Sequence, residues 1–407
     1  MNNIEIISDA LKRFEINNYK VVEINVNEMM CSLIDQQFTY TICDERYYNI
    51  IFEHKGITLR FKTSSNCSEH EINSMILNCI EIGGNNTNIL EQAQISHKGI
   101  GNIEHTESSY NDYEKWLTEL YNMFEEKFQT IFNIGYELRK YYCQVNLSSI
   151  PAKQSRTDSN LYLWDRSDIT NIIKLSPCYP SDNIMDLFDN KQKSKKNALA
   201  LCNTTLKGHV LFKADAVAQL LNGFIRCFYA DMLYKKQSPL AVNDIHNKQF
   251  ERNFDLISLP YEELVFDSEG FATETKYLIK NGRVVDILGN SFFSELLGFN
   301  CIGNADLLEA EKVQHQRLKF LVHSDTQEDI TIDNICDFDI HSYKITHVEF
   351  QNGTIFGIIV AYDRKNTQQF TSQCTMSFDR FFKSIIFGNR EYKWSDNIYT
   401  SDILLSL

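Results

Sequence analysis

Residues 262–305 read EELVFDSEGFATETKYLIKNGRVVDILGNSFFSELLGFNCIGNA, and their punctuation decides how the C-terminal half folds. Asp267-Ser268-Glu269-Gly270 predicts a tight turn, because Gly takes positive φ at no steric cost and an Asp side chain bonds nearby backbone. Asn281-Gly282 predicts a second reversal. Two residues of this type between apolar runs, here Tyr277-Leu278-Ile279 and Val284-Val285 with Ile287, are the strongest short-range hairpin signal. A short helix over 291–297 and a Gly303-Asn304-Ala305 loop complete the stretch. Each turn alone reads as structural; their order and spacing set the segment apart.

Working outward, 407 residues exceed one ordinary core and predict two domains. The division is expected near residue 200, giving an N-terminal α+β domain over 1–200 that ends in a polar linker, and a mainly-β domain over 201–407. A hydrophobic content of 43% with 23% charged residues is that of a folded chain. No run of about 18 apolar residues occurs, and MNNIEIISDALKRFE lacks a signal-peptide core, so a cytoplasmic protein without a membrane segment is expected. The 11 cysteines contain no CxxC pair, which predicts free thiols rather than a disulfide framework or a zinc knuckle. A formal charge of −14 disfavours nucleic acid, whose phosphates demand clustered Lys and Arg. The one basic run, Lys191, Lys193, Lys195 and Lys196, reads as a solvated loop.

In the first half, Ile4, Ile7, Ala10, Leu11 and Phe14 have helical spacing, and 19–26, 47–52 and 57–62 read as strands. Ser68 and Glu71 form a capping-box pattern ahead of a helix with Ile72, Met75, Ile76, Cys79 and Ile80 on one face. A second helix is expected over 112–132, with Trp116, Leu120, Phe124, Phe128 and Ile131 inward, then an alternating strand over 138–147. The stretch 148–207 is rich in Ser, Asn, Asp, Lys and Pro and predicts the linker. Beyond it one helix precedes strands at 317–322, 343–350 and 354–362, the last two joined at Asn352-Gly353. The fold class is α+β: an N-terminal α/β sandwich-like domain, then a mainly antiparallel, open barrel-like β domain.

The helix over 213–235 bears most on function. Val217, Leu220, Leu221, Phe224, Ile225, Phe228 and Met232 recur at i, i+3/i+4 and predict a core-facing stripe. Elsewhere, Asp337, Asp339 and His341 share one face of a strand, yet His347 lies about 20 Å further on, too far for one metal on a straight strand. No GxSxG, GxGxxG or Walker loop is present, so serine-hydrolase, dinucleotide and NTPase chemistry lack their local geometry. An unmarked triad stays open, since triads are recognised in space.

Phe266, Asp267, Glu269, Gly270, Asn281, Gly282, Leu297, Gly298, Gly303, Asn304 and Ala305 together resemble the signature of the TldD/PmbA (TldD/TldE) family. In that family an acidic-Gly turn, an Asn-Gly hairpin, a short helix and a GNA loop follow in this order. Its zinc-bearing members carry a VxFxPxxxxxLL lead-in and then a His-Glu-x-x-x-His helix. The lead-in is similar to 209–215, HVLFKAD, followed by Leu220-Leu221. Aligned on those leucines, Asn222 stands at the first His, Gly223 at the general-base Glu and Cys227 at the second His. Zinc hydrolysis needs deprotonatable ligands and a carboxylate for the metal-bound water, and neither Asn222 nor Gly223 supplies them. Cys227 reads as a core thiol or a lone ligand needing help from elsewhere.

The resemblance implies a metal-free TldE-like chain, a pseudoenzyme with no cofactor of its own, in a heterodimer whose TldD-like partner holds zinc and cuts unfolded peptides. Modified-peptide precursors and antitoxins are the substrates it implies. It also implies peptide contact at Gly303 and Asn304, whose other role is to end the helix over 291–297 and turn the chain. The family's later TGxFSxxxxG pattern is missing; that region reads AYDRKNTQQFTSQCTMSFDRF, pointing to a specialised paralogue. The other reading is a peptide-binding or structural protein that has lost its protease partner.

Overall fold

The computed structural model describes residues 3–34, 36–82, 110–128, 132–147, 150–165, 168–175, 184, 208–260, 265–305, 318–324, 336–387, 392–395 and 397–406. The chain divides into two compact units, Met1–Gln192 and Lys193–Leu407. The basic run at 191–196 lies outside the described residues.

The first unit is one antiparallel sheet with helices on it. Its strands are β1 (Tyr19–Ile34), β2 (Gln37–His54), β3 (Ile57–Ser64), β4 (Phe132–Leu147), β5 (Ile150–Asp165) and β6 (Asp168–Leu175), in the order β3-β2-β1-β4-β5-β6. Helices α1 (Asn3–Arg13) and α2 (Glu69–Ile82) bury Ile4, Ile7, Leu11, Ile72 and Ile76 against Val21, Ile50, Phe52 and Leu59. Helix α3 (Tyr110–Phe128) buries Leu117, Leu120 and Phe124 against Met29, Cys31, Leu33, Tyr136 and Leu163. Val21, Met29, Cys31 and Leu33 are odd positions of an unbroken strand register, so both helix groups cover the same face of the sheet.

The predicted capping box is formed: Ser68 N donates to Glu71 Oε2 at 2.7 Å, and Glu71 N donates to Ser68 Oγ at 3.3 Å. The Ser68 bonds hold the Glu71 carboxyl below its usual range. Ser68→Ala is therefore expected to speed hydrogen exchange at the first-turn amides of α2 several-fold, with the rest of the sheet unchanged. Equal protection in both proteins would remove this box from the account.

The polar stretch after 148 departs from the linker expected of it. β5 pairs along its whole length with β4, from Leu147↔Ile150 to Phe132↔Asp165, and β6 pairs with β5. Ladder bonds are made by backbone, so tertiary pairing overrides a composition that locally reads as loop.

The second unit holds two open six-stranded sheets around a buried helix. One runs β10-β9-β8-β11-β17-β16, built from β8 (Asp255–Pro260), β9 (Lys276–Lys280), β10 (Arg283–Val284), β11 (Leu318–His323), β16 (Lys393–Ser395) and β17 (Ile398–Thr400). The other runs β14-β13-β12-β7-β18-β15, from β7 (His209–Phe212), β12 (Phe338–Glu349), β13 (Thr354–Asp363), β14 (Gln368–Ser377), β15 (Ile386–Phe387) and β18 (Ile403–Ser406). Pairing is antiparallel except at β7–β12 and β11–β17. Neither sheet closes on itself, so the barrel-like expectation resolves into two open sheets.

Helix α4 (Ala214–Ile225) is buried at nine of its twelve positions, which is the signature of a helix enclosed on most sides. Phe224 and Phe228 pack with Phe250, Phe254, Phe378, Phe381 and Phe382, the last three on a short helix, Phe378–Ser384. The single helix expected over 213–235 is broken. After a 3-10 turn at Arg226–Phe228, Tyr229 is extended (φ −84°, ψ 133°), and α5 (Ala230–Tyr234) follows. The cause is a strand-like exchange with Leu288, whose N–H donates to Phe228 O at 2.9 Å while Ala230 N donates to Leu288 O at 2.8 Å.

Candidate functional site

Two places collect the residues singled out in the sequence. In the first, the turn, hairpin, helix and loop of 266–305 assemble as spaced. Gly270 takes φ 72°, and its N–H donates to Asp267 O at 3.0 Å. Asn281 and Gly282 take φ 51° and 75°, the paired positive values of a type I′ hairpin, with Val284 opposite Ile279. Asp255 Oδ1 accepts from Asn281 N at 2.6 Å and fixes the hairpin tip. Helix α6 (Ser291–Leu297) starts at Asn290, whose Oδ1 accepts from Phe293 N at 3.0 Å, and stops at Gly298, φ 62°. Gly298, not Gly303, ends this helix.

The acidic turn is a buried clasp. Asp267 Oδ1 accepts from Glu269 N (2.9 Å) and Phe271 N (3.0 Å), and its Oδ2 accepts from Ala305 N (3.0 Å). Glu269 accepts from Ser291 N and Ser291 Oγ, both at 2.7 Å. One turn thereby ties itself to α6 through Ser291, 22 positions on, and to the GNA loop through Ala305, 38 positions on. Asp267 is 1% exposed and Glu269 3%. Burial, and then the Glu269 charge, push the Asp267 carboxyl up to about 7 against the pull of its three N–H donors.

Gly303 (φ 90°) lies so close to Ala272 O that a Cβ would collide with it. Asn304 is 2% exposed, donates its N–H to Gly289 O at 3.0 Å, and keeps its Oδ1 buried without a hydrogen-bond partner. Both residues are thus interior parts of the loop.

The second place is α4, where the zinc residues of the resemblance would stand. The donors present do not fit zinc. Asn222 offers a neutral amide whose Oδ1 is buried and unpartnered, and Gly223 offers nothing. Cys227 sits in the 3-10 turn, 1% exposed, with burial pushing its thiol up to about 12, the reverse of what a thiolate ligand needs. A Cβ on Gly223 would overlap Ile355 Cδ1 and fall 3.0 Å from Ile345 Cδ1. Among the described residues, no group of three or more His, Cys, Asp or Glu side chains is placed to hold a metal.

The strand-face candidates disperse into ion pairs. Asp339 pairs with Arg364 (2.7 Å) and Asp337 with Lys365 (2.6 Å). Burial lowers the His341 pKa despite Asp339, and His347 lies tilted against the Phe356 ring, centroids 5.9 Å apart. Sequence reading missed Asp402, whose Oδ1 accepts from Ala214 N at 3.0 Å and whose Oδ2 pairs with Lys213 at 3.2 Å, capping α4. A partner 188 positions away leaves no local signal. It also missed Ser291, for which Asn290 as an N-cap was the available clue.

Two open sheets enclosing one helix, joined to a turn–hairpin–helix clasp, have the TldD/TldE-like fold. Residues 205–336 match the PmbA/TldA metallopeptidase C-terminal domain. This match supports the resemblance to the TldD/PmbA family read in the sequence. A metalloprotease PmbA homolog from Buchnera aphidicola subsp. Acyrthosiphon pisum (strain APS) is 26% identical over 138 residues, which span 32% of this chain and 31% of that relative. The solved modulator of a DNA gyrase from Thermotoga maritima MSB8 is similar at TM-score 0.70 and 14% identity, covering 99% of this chain and 98% of that one. TldE from Thermococcus kodakarensis is similar at TM-score 0.65 and 11% identity, covering 100% and 99%. At such identities these two establish the fold. No helix among the described residues is long and apolar enough to cross a membrane.

Proposed function

We propose that this chain is the metal-free, TldE-like subunit of a cytoplasmic two-subunit metallopeptidase, whose zinc is held by a TldD-like partner and whose substrates are unfolded peptides. The observation that carries this reading is the donor set on α4. Asn222, Gly223 and Cys227 provide no charged ligand and no base, so this chain does not activate water there. Likeness to a TldE over the full length supports the same role.

In this role the chain completes a peptide path rather than cutting. An extended peptide takes main-chain hydrogen bonds from a sheet edge with little sequence choice, which suits precursors of ribosomally made modified peptides or antitoxins. Gly303 and Asn304 shape the loop beside that path, held in place by the Asp267 clasp.

The test is co-expression with a His-Glu-x-x-x-His homologue, followed by size-exclusion chromatography, metal analysis and peptide-cleavage assays. A stable complex that cleaves, with zinc stoichiometric to the partner alone, is the expected result. Cleavage by this chain alone would overturn the reading. A chain that binds peptide but forms no complex would replace it with a peptide-binding protein free of protease.

A further inference from the structure

We infer that the α4 face carrying Gly223, the position aligned with the zinc motif's base, has become a helix-to-sheet seam, in which Gly223 seats Ile355 and Ile345 and leaves no volume for the side chain of a catalytic base. The inference deepens the proposed function at the same helix, but it needs no partner subunit and is tested on this chain alone.

Three contacts along one side of the helix carry it. Gln219 Oε1 accepts from Tyr343 N at 2.6 Å. The register between β12 and β13 shifts just before this point, between Ile340 and Ser342, so α4 supplies a bond beside the irregularity. One turn on, Gly223 faces Ile355 of β13 and Ile345 of β12, with Ile355 Cγ1 at 3.4 Å from where its Cβ would be. Three residues further, the Arg226 guanidinium lies over the Phe350 ring, 4.7 Å from its centroid. Positions 219, 223 and 226 follow the i, i+4, i+7 row of one helix face. That row runs along the β12–β13 sheet, with Ile355 fully buried and Tyr343 1% exposed.

A glycine inside a helix costs about 1 kcal/mol relative to alanine, so a mid-helix glycine calls for a compensating contact. Here the compensation is close approach: without a Cβ, the helix lets two isoleucine tips fill the space. A glutamate at 223 would project into those isoleucines rather than toward a water.

The experiment is a double-mutant cycle by thermal unfolding on the full chain, with Gly223→Ala, Ile355→Val and the pair. Ile355→Val removes the Cδ1 atom that an alanine methyl would strike. In open space Gly223→Ala raises the midpoint through helix propensity; in a filled seam it lowers it. The expected result is a midpoint several degrees lower for Gly223→Ala in the parent background, and unchanged or higher with Ile355→Val already present. A Gly223→Ala protein more stable than the parent, with additive effects across the cycle, would overturn the seam. In parallel, Asn222→His/Gly223→Glu/Cys227→His is expected to bind no stoichiometric zinc. A folded triple variant holding one zinc per chain would overturn it equally.

Discussion

Phe224→Asp should leave the C-terminal unit unfolded. Phe224 is fully buried, with ring centroids of Phe378, Phe381 and Phe382 at 5.7, 5.4 and 5.8 Å. An unpaired carboxylate there costs several kcal/mol in desolvation, and loss of the aromatic packing adds about 0.5–1.5 kcal/mol for each ring pair. Together these are of the order of a domain's whole stability, about 5–15 kcal/mol. Phe224→Leu, which keeps most of the volume, should fold with a lower midpoint. The check is solubility and near-ultraviolet circular dichroism of both variants; a fully folded, soluble Phe224→Asp protein would refute the placement of α4 in the core.

The second large effect is on pH dependence. Unfolded, the Asp267 carboxyl ionises in the ordinary aspartate range near 3.8; folded, burial and then the neighbouring Glu269 charge push it up to about 7. Between those values the unfolded chain binds fewer protons than the folded one. Stability from this group therefore falls as pH rises from about 4 to about 7 and is level above. Glu269→Gln removes the like charge while keeping an oxygen for Ser291 N. The variant should show a shallower fall that finishes at lower pH. Urea unfolding at half-unit pH steps reads both curves, and identical slopes would mean that the two carboxylates are not coupled.

Much of this was legible in the chain. The Asn281-Gly282 hairpin, the Asp267–Gly270 turn, the Ser68–Glu71 box and the α6 helix rest on bonds between near neighbours, so residue type and spacing suffice to predict them. The α4 stripe was legible as apolar periodicity, and the missing zinc residues as plain identities at 222, 223 and 227. What escaped reading was set by distant partners: β5 took strand form by pairing with β4 and β6 by pairing with β5, and Leu288 broke the helix expected over 213–235 at Tyr229.

Residue chemistry by itself determined that positions 222 and 223 carry neither a charged zinc ligand nor a base, since no fold gives Gly223 a side chain. It also determined the turns, because positive φ and Asx bonding are local properties of Gly, Asn and Asp. Only the tertiary structure decided what fills that helix face and what the signature residues do. Asp267 meets Ala305, Gly223 meets Ile355, and Asp402 caps Ala214 across 38, 132 and 188 positions of chain. Burial then shifts the Asp267 and Cys227 ionisations, which depends on the desolvation that packing imposes and not on the residues' own chemistry.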